Sequence, residues 1–281
     1  MRRMVLAFYR IRGPLYYLAA AILIGNAIAG RYVTSDGIRE LLPLLVLLAL
    51  ALAVLCLLAT FLVPGWLPEQ ATRVVASPVR GRWLGLNSPA SAVPSHGVRA
   101  YGQAYAIDLA HTPADAARPE FGGPMMRPAA EYPAFGQPVL AMIDGTVVRA
   151  SDWRRDHRAR SNGWGAGYLM LEGVVRELGG PGFIVGNHLV IRGDDGVYAA
   201  VAHLQRGSLA VRRGERVTAG TPVGRCGNSG NSSEPHVHAQ LMDRASFWTA
   251  QGIPMAFAEI AVGDDPAPRE ALPANGQPLT A

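Results

Sequence analysis

The pattern of apolar and polar positions divides the chain into stretches of different kinds. Residues 41–63, LLPLLVLLALALAVLCLLATFLV, carry no charge. At ~1.5 Å rise per residue, a helix of this length crosses a hydrocarbon core of ~30 Å. A second apolar run at 14–30, PLYYLAAAILIGNAIAG, is shorter and contains Asn26. It reads as a second span over about 14–33; an interfacial segment, or a signal-type apolar region ending at Ala27-Ile28-Ala29, are the other readings. A basic tail at 1–13 precedes the spans, and a linker at 64–74, opened by Pro64-Gly65, follows them.

From residue 75 the pattern changes to short runs rich in Val and Ile, separated by glycine turns. PVLAMI and TVVRA flank Asp144-Gly145, a strong hairpin signal. Further strands are predicted at 188–193, 197–204, 216–227 and 236–242, which makes residues 75–265 a mainly β domain with an antiparallel sheet. Residues 151–182 interrupt this pattern, and YLMLEGVVREL within them predicts one short helix packed on the sheet. The Pro/Ala-rich residues 266–281 predict a disordered tail.

Composition sharpens the division. The chain is 49% hydrophobic, with the excess before residue 64. Of the formal net charge of +5, residues 1–63 hold +4, from six Arg against Asp36 and Glu40. The remainder is nearly neutral, so the basic charge belongs with the membrane and argues against a nucleic-acid partner. If both apolar runs span, the N-terminal arginines place both chain ends in the cytoplasm. Cys56 lies in an apolar run and Cys226 far away in the polar domain, so they form no disulfide framework and read as structural thiols.

Candidate chemistry comes from a few polar residues on apolar strands. Side chains alternate across a strand, so His236, His238 and Gln240 project to one face and Val237, Ala239 and Leu241 to the other. In VYAAVAHL, His203 is expected on the face of Ala199 and Val201, where a buried imidazole needs a partner. In YAIDL, Asp108 is a single carboxylate inside an apolar strand, which is unfavourable unless paired with a cation or bound to a metal. A structural ion pair with Arg is the competing reading for Asp108, and a structural role the competing one for His203. Catalytic zinc typically takes three protein ligands and leaves the fourth position to water. Asp108, His238 and one further His would complete such a site.

The segment GNHLVIRGDDGVYAAVAHLQRGSLAVRRGERVTAGTPVGRCGNSGNSSEPHVHAQLMD, from Gly186 to Asp243, resembles the C-terminal half of lysostaphin/LytM-type zinc peptidases. SPVRGRW at 77–83, PSHG at 94–97, YAIDL at 105–109 and QPVLAMIDGTVV at 137–148 are similar to the first half of that family. The resemblance implies that Asp108 and His238 are zinc ligands, and that His203 and His236 are a non-ligand pair that handles protons and stabilises an oxyanion. Where the common pattern has a His four residues before the Asp, this chain has Ala104. His96 resembles a variant in which the ligand arrives from a longer loop, and is assigned as third ligand. The competitors, His111 and His157, are expected to be exposed, His188 to be a strand residue and Glu234 a surface one. GNSGNSS at 227–233 is expected to form a tight loop walling the cleft.

The function implied is zinc-dependent hydrolysis of peptide bonds in peptidoglycan cross-links or stem peptides, at the cell membrane with the domain outside. Two alternatives stand beside it. One is a catalytically inactive, membrane-tethered module of the same fold that binds wall or regulates a partner. The other is a zinc hydrolase acting on a different peptide or ester.

Overall fold

The computed structural model describes residues 2–281, which fall into two units, one ending at Glu69 and the other covering Gln70–Ala281. The N-terminal unit is a pair of helices, α1 (Arg2–Ala29) and α2 (Asp36–Leu62). Both are long and apolar enough to cross a membrane. Residues 2–13, expected as a basic tail, are instead the first turns of α1. The reason is that this stretch is apolar as well as basic: Val5, Leu6 and Phe8 pack with Tyr9 against Ala59 and Val63. The Arg12 guanidinium stacks on the Tyr9 ring and donates to Thr60 Oγ1 at 3.2 Å.

The second unit is built on a twelve-stranded sheet. Nine of its strands build or flank the site: β1 (Arg82–Leu86), β2 (Ile107–His111), β3 (Gly145–Ser151), β4 (His188–Arg192), β5 (Tyr198–Ala202), β6 (Val237–Met242), β7 (Met255–Val262), β8 (Asp265–Ala271) and β9 (Pro278–Thr280). Across the sheet the order is β7-β9-β1-β2-β6-β5-β4-β3. Among the described residues, the pairings are antiparallel except for Arg73–Val75 against β7. The antiparallel β expectation therefore holds.

Strand alternation gives the central strands two different faces. Ile107, Leu109, Leu189, Ile191, Ala199, Val201, Val237, Ala239 and Leu241 enter the main core, together with Trp83 and Phe257. Each large side chain buried there contributes about 1.5–3 kcal/mol of transfer free energy. Asp108, His188, Val190, Ala200, Ala202, His238 and Gln240 occupy the alternate positions. In register, His238 lies between Asp108 on β2 and Ala202 on β5. The small Ala202 leaves room beside the imidazole.

The C-terminal residues do not form a disordered tail. β8 pairs with β7 as an exposed edge hairpin, and β9 is inserted between β7 and β1. Leu279 is 1% exposed in the core. One apolar anchor and two neighbouring strand edges overcome a composition that by itself suggests disorder. The folded unit accordingly runs to the chain end rather than to residue 265.

The interrupting segment contains a helix, α3 (Gly163–Leu178), capped by the Asn162 side chain, which accepts from the Gly165 amide at 3.0 Å. The expectation of one short helix packed on the sheet is met only in part: α3 lies against the strand Ala159–Arg160 and the helix Pro181–Val185, with its charged side turned to the protein. Glu172 pairs with Arg160 and Arg176, Arg176 reaches Asn231 Oδ1 at 3.3 Å, and Glu177 accepts from the Tyr101 hydroxyl.

Candidate active site

Five side chains from four parts of the sequence converge on one face of the sheet. Asp108 comes from β2 and His238 from β6, paired directly across the two strands. His236 enters just before β6, His203 just after β5, and His96 from the loop preceding β2. The ring centroids of His96 and His238 are 4.9 Å apart, those of His203 and His236 4.8 Å, and those of His203 and His238 5.7 Å. All but the half-buried His96 are buried.

His203 reaches this cleft by breaking the alternation of its strand. Ala199 and Val201 face the main core, and an extended residue 203 would follow them. At His203, however, φ is +59°, a left-handed state that is uncommon for a residue with a Cβ and recurrent at functional sites. It turns the imidazole to the opposite face, while the following Leu204 returns to the core. Asn87 behaves in the same way. It follows β1 at φ +43°, and its amide donates to Asp108 Oδ2 at 2.7 Å. The sequence offered no signal for Asn87 beyond a polar residue after an apolar strand.

The hydrogen-bond partners decide how each imidazole presents its nitrogens. The Gln240 amide donates to the Tyr101 carbonyl at 2.9 Å, so its Oε1 faces His238 Nε2 at 2.8 Å and takes that N–H. The lone pair of His238 Nδ1 is left 2.9 Å from Asp108 Oδ1. The Ser95 hydroxyl donates to the Gln103 carbonyl, which leaves its oxygen to accept from His96 Nδ1 at 3.0 Å. His96 Nε2 then faces Asp108 Oδ2 at 3.1 Å, again lone pair towards carboxylate. Two imidazole lone pairs opposing one buried carboxylate repel unless a cation lies among them. One ligand atom from each of the three residues lies within 4.8 Å of the others, and two neutral imidazoles with a carboxylate are a donor set suited to zinc. The residues present fit the metal.

His203 and His236 are held differently. Each gives its Nδ1–H to a backbone carbonyl at 2.8 Å, of Ser229 and Glu234 respectively. Their Nε2 atoms are thereby free of backbone partners, and that of His236 lies 3.5 Å from Asp108 Oδ1. Burial and the neighbouring His236 and His238 push the His203 pKa well below the usual histidine range. Burial also opposes charge on His236, but Asp108 and the Glu234 carbonyl outweigh it and raise its pKa. Asp108 is subject to a burial penalty too, which the charge and hydrogen bond of the neighbouring His236 offset, so that the carboxyl is held well below its usual range.

The remaining candidates do not join the cluster. His111 stacks on Trp83 with ring centroids 4.7 Å apart and approaches the Pro133 carbonyl at 3.2 Å. His157 meets the Gly230 carbonyl at 2.9 Å, with its backbone amide bonded to the Asn228 carbonyl. Both were expected to be exposed and are instead half-buried, because their rings have structural partners. His188 is a buried residue of β4, edge-on to Phe247 at 5.2 Å. Glu234 is not a free surface carboxylate: Arg118 grips both its oxygens, at 2.6 and 3.0 Å. This pair steadies the segment whose carbonyl orients His236. Cys226 is buried, and burial raises its thiol pKa. The 227–233 loop makes a close backbone crossing, where a Cβ on Gly230, at φ +75°, would lie 2.4 Å from Gly186 N. That approach sets the Ser229 carbonyl in front of His203.

Residues 168–249 match the model of Peptidase family M23. The chain is similar to the catalytic domain of the antimicrobial peptidase lysostaphin from Staphylococcus simulans, with 19% identity and a TM-score of 0.31, covering 67% of this chain and 92% of that one. A protein assigned as the glycyl-glycine endopeptidase lytM from Ruminococcus gnavus is 17% identical, with a TM-score of 0.29, over 53% of this chain and 42% of that one. A zinc-containing peptidase from Vibrio cholerae is 17% identical, also with a TM-score of 0.29, over 66% of this chain and 39% of that one. The chain thus spans less than half the length of the latter two.

Proposed function

We propose that this protein is a zinc-dependent endopeptidase that hydrolyses peptide bonds in bacterial peptidoglycan, held at the cell membrane by its N-terminal helices, of which α2 alone crosses the bilayer, so that the basic N-terminus stays inside and the catalytic unit lies outside. The observation that carries the reading is the inward-facing trio of His96 Nε2, Asp108 and His238 Nδ1, beside two further imidazoles oriented for proton transfer. These three residues would hold the zinc, which when bound supplies Lewis acidity to an amide carbonyl and lowers the pKa of a water towards 7.

The rest of the chemistry belongs to side chains. His203 and His236 lie close enough that a charge on one disfavours a charge on the other, so the pair shares one proton. His236, facing Asp108, is the favoured holder, and His203 stays neutral. His203 Nε2 accepts a proton from the attacking water. His236 Nε2–H donates to the developing oxyanion and passes its proton to the leaving amine. The Ser229 and Glu234 carbonyls keep both rings in the tautomer this requires.

Metal analysis and turnover of a cross-linked wall peptide test the assignment together. One zinc per chain is expected, lost in His96→Ala, Asp108→Ala and His238→Ala, and kept in His111→Ala. His203→Ala and His236→Ala should keep zinc while losing about 10²–10⁴-fold in turnover. Full activity in His203→Ala, or zinc retained in His96→Ala and lost in His111→Ala, would overturn these roles. A reporter fused after Ala281 tests the side of the membrane, and cytoplasmic signal would remove the cell-wall substrate.

A further inference from the structure

Helix α3 is built inside out. Trp164, Met170, Leu171, Val174, Val175 and Leu178 are exposed, from 67% at Val174 to 84% at Trp164. At ~100° per residue these six positions fall in an arc of about 140° on one side of the helix. The charged residues Glu172, Arg176 and Glu177 are all engaged with the protein body, through Arg160, Asn231 and Tyr101. A helix in a water-soluble unit buries its apolar side and exposes its charges, whereas in α3 the two are exchanged.

The rim of this surface has its own character. Exposed Trp153 and Phe183 flank the Arg154 guanidinium, which lies 4.4 and 4.7 Å from their ring centroids. Phe183 belongs to the short helix Pro181–Val185, which contacts α3. Aromatic rings mixed with arginine around an apolar strip suit the headgroup boundary of a bilayer, where rings lie among headgroups and guanidinium groups meet phosphates. The same chain supplies two membrane-spanning candidates, and only residues 63–72 separate α2 from the strand Arg73–Val75. Fully extended, ten residues reach ~35 Å, so a bilayer is always within range of the second unit.

We infer that α3 is an interfacial helix whose Trp164–Leu178 face enters the surface of the anchoring bilayer and holds the catalytic cleft beside it. The coupling to the cleft is short: Glu177 binds the Tyr101 hydroxyl, and the Tyr101 carbonyl orients the Gln240 amide against His238. The inference rests on the membrane anchoring proposed above, and the experiment separates the two.

Full-length chain carrying an environment-sensitive fluorophore at Leu171→Cys, with Val174→Cys as a second site, is placed in vesicles of phosphatidylcholine and phosphatidylglycerol brominated on the acyl chains. Cys56 and Cys226 are both buried, so the introduced thiol is the one labelled. At least twofold quenching at both positions is expected, with none at Glu215→Cys, an exposed site outside the helix. Chain that resists alkaline extraction yet shows no quenching at Leu171 or Val174 would overturn the docking while leaving the anchoring intact. Probe-to-probe energy transfer without quenching would also overturn it, by assigning the face to a second copy. Protection confined to native membranes would assign it to a protein partner, with the same consequence. Release of the chain by alkali would instead refute the anchoring itself.

Discussion

Gln240 Oε1 lies 2.8 Å from His238 Nε2, and the Tyr101 carbonyl dictates which end of the amide faces the ring. This single contact decides that His238 offers Nδ1, rather than Nε2, to the gap shared with Asp108 and His96. Partners of this kind orient metal-binding histidines and are typically worth 10–100-fold in affinity. Gln240→Leu should therefore weaken zinc binding by about that factor, measured by competition with a chromogenic chelator, while the thermal midpoint without metal changes little. Unchanged affinity would mean that ring packing alone orients His238.

Asn87 separates backbone strain from chemistry. Asn87→Gly keeps the positive φ without strain but removes the donor to Asp108 Oδ2. Turnover should fall about tenfold with stability nearly unchanged. Asn87→Val should lose the same activity and in addition about 1–3 kcal/mol of stability, because a β-branched residue resists φ > 0. Urea unfolding of the two variants checks this.

Gly230 admits no side chain. An added Cβ would meet Gly186 N at 2.4 Å and carry the cost of a left-handed backbone. Gly230→Ala should cost about 2–4 kcal/mol. Because the neighbouring Ser229 carbonyl orients His203, turnover measured well below the unfolding temperature should fall as well.

His188 makes stability depend on pH. Burial holds its pKa down at about 4, against 6.5 for a free imidazole. The unfolded chain thus binds this proton first as pH falls. The neutral ring contributes fully above pH 6.5, and stability is lost between pH 6.5 and about 4, by about 3 kcal/mol in total. Denaturation from pH 7.5 to 4.5 should be steeper in the parent than in His188→Phe. Parallel profiles would show that His188 does not titrate on unfolding.

Much of the site is legible in the residues alone. His236 and His238 share a face because a strand repeats every two residues, and Asp108 stands out as a carboxylate inside the apolar YAIDL. Glu234, by contrast, reads as a surface residue because its partner Arg118 is remote in the chain. The C-terminal residues read as disorder because only the edges of β1 and β7 make β9 a strand.

The sequence by itself determined the two apolar helices, most of the antiparallel strands and the residue types of a candidate metal site, since local periodicity and composition carry that information, but not strand partners: Pro138–Leu140 pairs with Pro222–Arg225 rather than across Asp144-Gly145. Tertiary structure decided what local rules cannot reach. It turned His203 and Asn87 onto the face of Asp108 and His238, because a positive φ reverses the alternation from which faces are predicted. It chose which nitrogen of each imidazole faces Asp108, because carbonyls and side chains distant in the chain fix the tautomers. It turned the charged side of α3 inward, because Arg160, Asn231 and Tyr101, distant in the chain, supply its polar partners there.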